Sequence, residues 1–330
     1  MIAFRWIEDN LFRTIFGSRK LRRSKNIVVG GRPDRLSRVQ LRKVVDSLNA
    51  AHPKRTFVDQ YEMKARKKNR TSVRKTSKGF NWLVNLLVKG EADVVVADAC
   101  SIPLRISPKV EIAAVPPRGN PFDVLISSEE LILDDQPENA SFAVIDHVRQ
   151  GQLLYYRPDL SFVAEKGGYD NLRRKMESGS VNGFVIGASE VEALNHQDKV
   201  VEVFTASICM PVAGQGGIGL LTRKDDLDVQ SLLQAISDPA SAAEFVIERL
   251  FLATVTKDGK GPVGVLGSVE ENEFRVEAAI ASPDGQEKVS GAMMGGNGEE
   301  EKVIEKLAEE LLSAGGSKIL SSYKRSGEAC

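Results

Sequence analysis

Residues 210–223 read MPVAGQGGIGLLTR, and this stretch decides how the chain is put together. Its glycines fall at 214, 216, 217 and 219. That spacing is not GxGxxG, so no phosphate loop follows from it. Taken alone it is a packed hinge turn, apolar on both sides and flexible in the middle. Its place matters more than its motif. It lies between two blocks of alternating strand and helix patterns, where a strand–glycine–strand crossover returns the chain from one α/β unit to another.

Before the crossover the period switches between about 2 and 3.6 residues, as in βαβ units. Residues 26–30 (NIVVG) read as a buried strand. A turn through Gly31, Arg32 and Pro33 follows, with Asp34 as a candidate helix cap. Residues 36–50 carry apolar side chains at a helical period, and 56–63 read as a second strand. Residues 79–89 are helical and 93–97 (DVVVA) a strand, with further strands at 110–115 and 122–127. The logic then repeats: strands at 141–145, 160–164, 183–187 and 200–204, helices at 148–157, 169–178 and 190–194. After the crossover come helices at 229–236 and 240–255. Beyond 256 the pattern becomes antiparallel, with strands at 262–269, 273–281 and 287–294 and an amphipathic helix at 299–312.

Composition bounds the function. The chain has 330 residues, 42% hydrophobic and 27% charged, with formal net charge zero. No global field argues for nucleic acid or a membrane surface. No apolar run is long enough to span a bilayer. Cys100, Cys209 and Cys330 are scattered, which fits a reducing cytoplasm and argues against zinc. His147 is a lone histidine without metal-ligand spacing, so no metal is expected.

Two segments stand apart. Residues 1–25 form an amphipathic stretch followed by a basic one, without the apolar core and cleavage site of a secretory signal. A loosely attached extension and a docking or membrane-surface helix both stay open for it; organelle targeting is a third reading, against which Glu8 and Asp9 count. Residues 64–78 contain eight Lys or Arg and no acid. They read as a basic loop, solvated or acting as a lid or anion contact, and the lack of interleaved aromatics speaks against nucleic acid.

From about residue 26 to 323 the chain resembles the porphobilinogen deaminase (hydroxymethylbilane synthase) family. The resemblance is carried in order by GGRPDRLSRVQ, KGFNWLVNLLVKGEADVVVADACSIP, AAVPPRGNPFDVLIS, RQGQLLYYRPDLSFV, MPVAGQGGIGLLTRKDD, ISDPASAAEFVIERLFL, IASPDG and AEELLSAGG. It implies two similar periplasmic-binding-protein-like α/β domains around a cleft and a small C-terminal α+β domain. The map that follows is an extension at 1–25, domain 1 at 26–117 and 211–237, domain 2 at 118–210, and domain 3 at 238–330. It also implies a cytoplasmic monomer. Enzymes of the family condense porphobilinogen onto a dipyrromethane primer held by a cysteine of the third domain. They use one carboxylate for proton transfer and a set of arginines for the acetates and propionates.

Residue by residue, the resemblance implies a loss of that chemistry here. The primer cysteine falls on Gly259, so no cofactor is expected. The catalytic carboxylate falls on Ser101, with Cys100 where a lysine stands in the family. Asp98 is the only nearby surrogate acid. Family arginines fall on Val148, Leu172 and Ala193, one falls on Lys166, and Arg32 and Arg149 remain. Asp34 and Asp146 stand where the family has serines. The expected ligand cleft therefore holds Arg32, Asp34, Arg149 and Lys166, with Arg32 and Arg149 also readable as structural partners of Asp34 or Asp146. Each unmatched charge-assisted bond forfeits about 1.5–3 kcal/mol. The expectation is a catalytically degenerate relative that binds a small ligand of unknown identity, or a protein partner. The alternatives are an active synthase with non-standard primer attachment, an interaction protein working through residues 1–25 and the basic loop, and, by fold analogy alone, a bilobal transport receptor.

Overall fold

The computed structural model describes residues 26–61, 79–256 and 258–325. The expectations for 1–25 and 64–78 fall outside the described residues. The chain divides into two compact units. One runs up to Arg118 and adds Gly217–Ala243; the other takes in Gly119–Gly216 and the chain from Glu244 onward.

The first unit is a five-stranded sheet in the order β2-β1-β3-β10-β4. Its strands are β1 (Ile27–Gly30), β2 (Phe57–Asp59), β3 (Val94–Asp98), β4 (Val110–Ala114) and β10 (Ile218–Arg223). β1 pairs in parallel with β2 and β3, whereas β10 runs antiparallel between β3 and β4. The crossover stretch thus ends as an interior strand of the first sheet. Helices α1 (Arg35–Ala51), α2 (Phe80–Val88) and α6 (Leu227–Leu233) belong to this unit. Val29, Leu41, Leu48, Phe57, Val94 and Leu220 close its core. The strand expected at 56–63 is shorter, because the chain turns helical at Gln60, whose side chain is drawn inward to the Gly31 carbonyl at 2.7 Å.

The second unit repeats the plan as β7-β6-β8-β5-β9. These are β5 (Asp123–Ser127), β6 (Ser141–Val144), β7 (Ser161–Ala164), β8 (Gly183–Gly187) and β9 (Glu202–Val203). β6 is parallel to β7 and β8, and β5 is antiparallel to β8. Helices α3 (His147–Tyr156), α4 (Tyr169–Glu177) and α5 (Ala188–Ala193) follow β6, β7 and β8. β9 is only two residues long, against the expected 200–204, because it pairs with β5 only at Val124 and Leu125.

The same unit carries an antiparallel sheet, β11 (Val263–Glu270), β12 (Glu273–Ala281) and β13 (Lys288–Gly296). It packs with α7 (Pro239–Thr256) and α8 (Glu300–Leu311) around Phe251, Val265, Phe274, Val276 and Leu307. The chain does not end its helical run near 312. A kink at Gly315, with φ 126°, leads into α9 (Ser317–Arg325). The glycine pair reads as a helix stop, yet Ile319 and Leu320 are buried and extend the apolar face.

The antiparallel sheet is set against α3 with no side chain between the two. A Cβ on Gly151 would stand 2.3 Å from the Ser282 carbonyl oxygen, and one on Gly285 would stand 2.4 Å from Leu154. Gly151→Ala is therefore expected to cost about 1–3 kcal/mol through overpacking, read as a lower urea midpoint at unchanged slope.

Candidate functional site

In a doubly wound sheet, ligand groups collect where neighbouring strands send their connections to opposite sides. In the first unit that place is between β1 and β3. The Arg32 guanidinium, just past β1, donates to Asp98 at the end of β3. Gln40 Nε2 donates to the other Asp98 oxygen at 2.9 Å. Ser101 Oγ turns back to the Asp98 carbonyl at 2.8 Å. Asp34 caps α1, accepting from Ser37 N and Ser37 Oγ, each at 2.9 Å. The pairing of Arg32 with Asp34 is thus corrected to Arg32 with Asp98, since both Asp34 oxygens are spent on the cap. Tyr61 donates to the Gly31 carbonyl at 2.7 Å, and burial pushes its hydroxyl up to about 12.

The corresponding place in the second unit lies between β6 and β8. Asp146 caps α3, accepting from Arg149 N at 2.9 Å. Arg149 is 3% exposed. Its Nε donates to Asp123 Oδ1 at 2.9 Å, its Nη1 to Asp146, and its Nη2 to Gln215 Oε1 at 2.7 Å. Gln215 Nε2 donates in turn to Asp123 Oδ1 at 2.9 Å and to the Pro121 carbonyl at 2.7 Å. Cys209 Sγ donates to Asp123 Oδ2 at 3.5 Å. Burial pushes the Asp123 carboxyl up, against the pull of the Arg149 charge. Burial and then Asp123 push the Cys209 thiol well above its usual value. Arg149 keeps its ion pair because three side-chain acceptors, from Asp123, Asp146 and Gln215, surround its fork.

The other expected positions are scattered. Lys166 is exposed in the turn before α4, and its carbonyl accepts from Asn171 Nδ2 at 2.8 Å. Leu172, where the resemblance implies an arginine, is fully buried. His147 bonds Gln150 at 2.8 Å through Nδ1. Among the described residues no group of three or more His, Cys, Asp or Glu could hold a metal ion, and no helix is long and apolar enough to cross a membrane.

The resemblance places the primer cysteine at Gly259. Gly259 follows α7 with φ 79°, and its N–H donates to Thr256 Oγ1 at 2.9 Å. It offers no nucleophile, and the left-handed conformation disfavours any side chain there. Ser101 supplies no carboxylate. These residues do not fit a thioether-bound dipyrromethane. Sequence reasoning passed over Asp123, Gln215, Cys209 and Gln40. The visible signals were an acid heading the apolar run DVLIS and a glutamine set between the glycines of GQG.

Two outcomes follow from the buried cluster. Arg149→Met leaves Asp123 buried without its cation and is expected to cost about 3–5 kcal/mol in denaturant unfolding, while Asp123→Leu with Arg149→Met recovers much of that loss. Iodoacetamide at neutral pH is expected to label the exposed Cys100 in the native protein and Cys209 only after denaturation, read by peptide mass spectrometry.

Comparison with known proteins agrees with this geometry in its scaffold. The family model described as porphobilinogen deaminase, dipyromethane cofactor binding domain, matches residues 27–231. The porphobilinogen deaminase of Pelotomaculum thermopropionicum is 32% identical over 305 residues, 91% of this chain and 98% of its own. That of Carboxydothermus hydrogenoformans is 31% identical over 305 residues, again 91% of this chain and 98% of its own. Among solved structures, a putative methionine-binding lipoprotein from Bacillus subtilis covers 68% of this chain and 94% of its own at TM-score 0.40 and 13% identity, a likeness too loose to add weight. By the family model and by these relatives, the chain belongs to the porphobilinogen deaminase family, whose business is tetrapyrrole synthesis.

Proposed function

We propose that this chain is a family member that has given up building tetrapyrroles on a covalent primer and instead binds a small ligand reversibly. The observation that carries the reading is Gly259, a residue with no side chain and φ 79° at the position of the primer cysteine. Three further features support it. Ser101 stands in place of the acid, and its hydroxyl is turned to the Asp98 carbonyl. Asp98, the one surrogate, has both oxygens engaged by Arg32 and Gln40. Arg149 has each of its three guanidinium nitrogens engaged by protein acceptors.

Proton transfer to a pyrrole needs an acid within hydrogen-bond reach of the substrate. An aspartate whose two oxygens are taken by a guanidinium and an amide is suited to bracing β3 against β1. With arginines replaced by Val148, Leu172 and Ala193, a polycarboxylate loses several charge-assisted bonds, which compounds to decades in affinity. The ligand of this reading therefore carries fewer carboxylates than the porphobilinogen chain. No cofactor enters it.

Incubation with porphobilinogen followed by intact-mass spectrometry tests the reading. The expected result is an unchanged mass and no hydroxymethylbilane, under conditions where an authentic deaminase gains pyrrole units. A protein mass raised by whole pyrrole increments, or turnover abolished by Asp98→Asn, would overturn it.

A further inference from the structure

The antiparallel sheet of the second unit has two outer strands, and the chain treats them differently. The outer edge of β11 is covered. Val265 N donates to the Pro211 carbonyl at 2.7 Å, and a Cβ on Gly264 would stand 2.5 Å from the Met210 carbonyl oxygen. The outer edge of β13 is bare. At one end of the β12–β13 ladder Ser282 N donates to the Glu287 carbonyl at 2.8 Å, and at the other Asn297 N donates to the Asn272 carbonyl at 3.1 Å. Antiparallel bonding alternates, so between these fixed points Val289, Gly291, Met293 and Gly295 bond to β12. The N–H and carbonyl groups of Ser290, Ala292 and Met294 therefore point away from the sheet, and no hydrogen bond reaches them among the described residues.

Natural sheets blunt such an edge with a short strand, a proline, a bulge or a charge. β13 uses none of these. It is nine residues long, its register with β12 runs unbroken, and positions 289–296 hold neither charge nor proline. Its two faces differ. Gly291 and Gly295 lie against Leu307 and Val303 of α8, whereas the side chains of Ser290, Ala292 and Met294 are exposed, Met294 to 59%.

The charges stand at the two ends of the strand. Lys288 donates to the Ser207 carbonyl at 3.0 Å but makes no ion pair among the described residues, and burial holds its ammonium below the usual lysine range. At the far end the exposed Glu299 accepts from Gly296 N at 3.1 Å and likewise makes no ion pair among the described residues. A second β13 laid antiparallel along the first reverses these ends. In the register that uses the whole strand, Ala292 meets itself on a two-fold axis and Ser290 of each copy meets Met294 of the other, every pair exchanging both backbone bonds. Lys288 of each copy then comes opposite Gly296 of the other, beside the carboxylate that holds its N–H.

We propose that β13 is a dimerisation edge, pairing with β13 of a second copy of this chain in antiparallel register about Ala292 to make one continuous sheet. The resemblance implies a monomer, and the chain departs from it through this unguarded edge. A single strand pairing is smaller than a standard interface of about 800 Å2 per partner, so the association falls in the micromolar range. The inference is independent of the reading built on Gly259, since it uses none of the same residues.

Sedimentation equilibrium of the full chain at low salt, loaded from about 5 to about 200 μM, tests it. The wild-type chain is expected to pass from monomer to dimer across that range. Ala292→Lys and Ala292→Glu each set like charges against one another on the two-fold axis, at an exposed position. Either variant alone is expected to dimerise about ten-fold or more weakly, with its thermal midpoint unchanged. An equimolar mixture of the two pairs opposite charges and regains the dimer, which a peptide-binding edge or another interface would not do. A wild-type chain that stays monomeric throughout, variants that associate like the wild type, or a mixture no tighter than its components would overturn the assignment.

Discussion

The second unit hangs on the ion pair between Asp123 and Arg149, closed by Gln215. A buried guanidinium is tolerable only when its fork is filled, and here three elements fill it: the head of β5, the cap of α3 and the glycine-rich turn. Gln215 can reach because Gly216, at φ 79°, brings the backbone within contact of the Gly119 and Asn120 carbonyls, where a Cβ would stand at 2.9 Å. Glu248 of α7, fully buried, receives Gly214 N at 2.5 Å and Gly267 N at 3.0 Å. The stretch MPVAGQGG is thus a tied knot of backbone donors and side-chain acceptors.

On the reading proposed above, that use of Arg149 lets the family scaffold persist without its primer chemistry. An arginine whose nitrogens brace the fold contributes to stability whatever else the chain does. Arg32 has the same fate in the first unit, where it ties the ends of β1 and β3 through Asp98. A fully buried Leu172 at the position implied for an arginine goes further, since the site has joined the apolar core.

Much of this is legible in the sequence, and what is not has physical reasons. The α1 and β12 spans follow from periodicity, and the return of the chain through residues 210–223 from the placement of glycines between apolar runs. The partner of Arg32 was not legible, because the nearest acid in sequence, Asp34, faces its own helix and the true partner arrives from another strand. Asp123 heads a strand that reads as apolar, and burial of its charge shows only when Arg149 is brought beside it. The helix Ser317–Arg325 was hidden by Gly315 and Gly316, which break the helix geometrically without ending it. The short β9 reflects pairing, which local propensity does not encode.

The bare contact of Gly151 with Ser282 has an implication for the lifetime of shortened chains. A product ending before that turn would expose the backbone of α3, and with it the helix that presents Arg149 to Asp123. Such a fragment would reach the cell's proteases with its ion pair loosened, so nonsense alleles late in the gene should behave as losses of the whole protein.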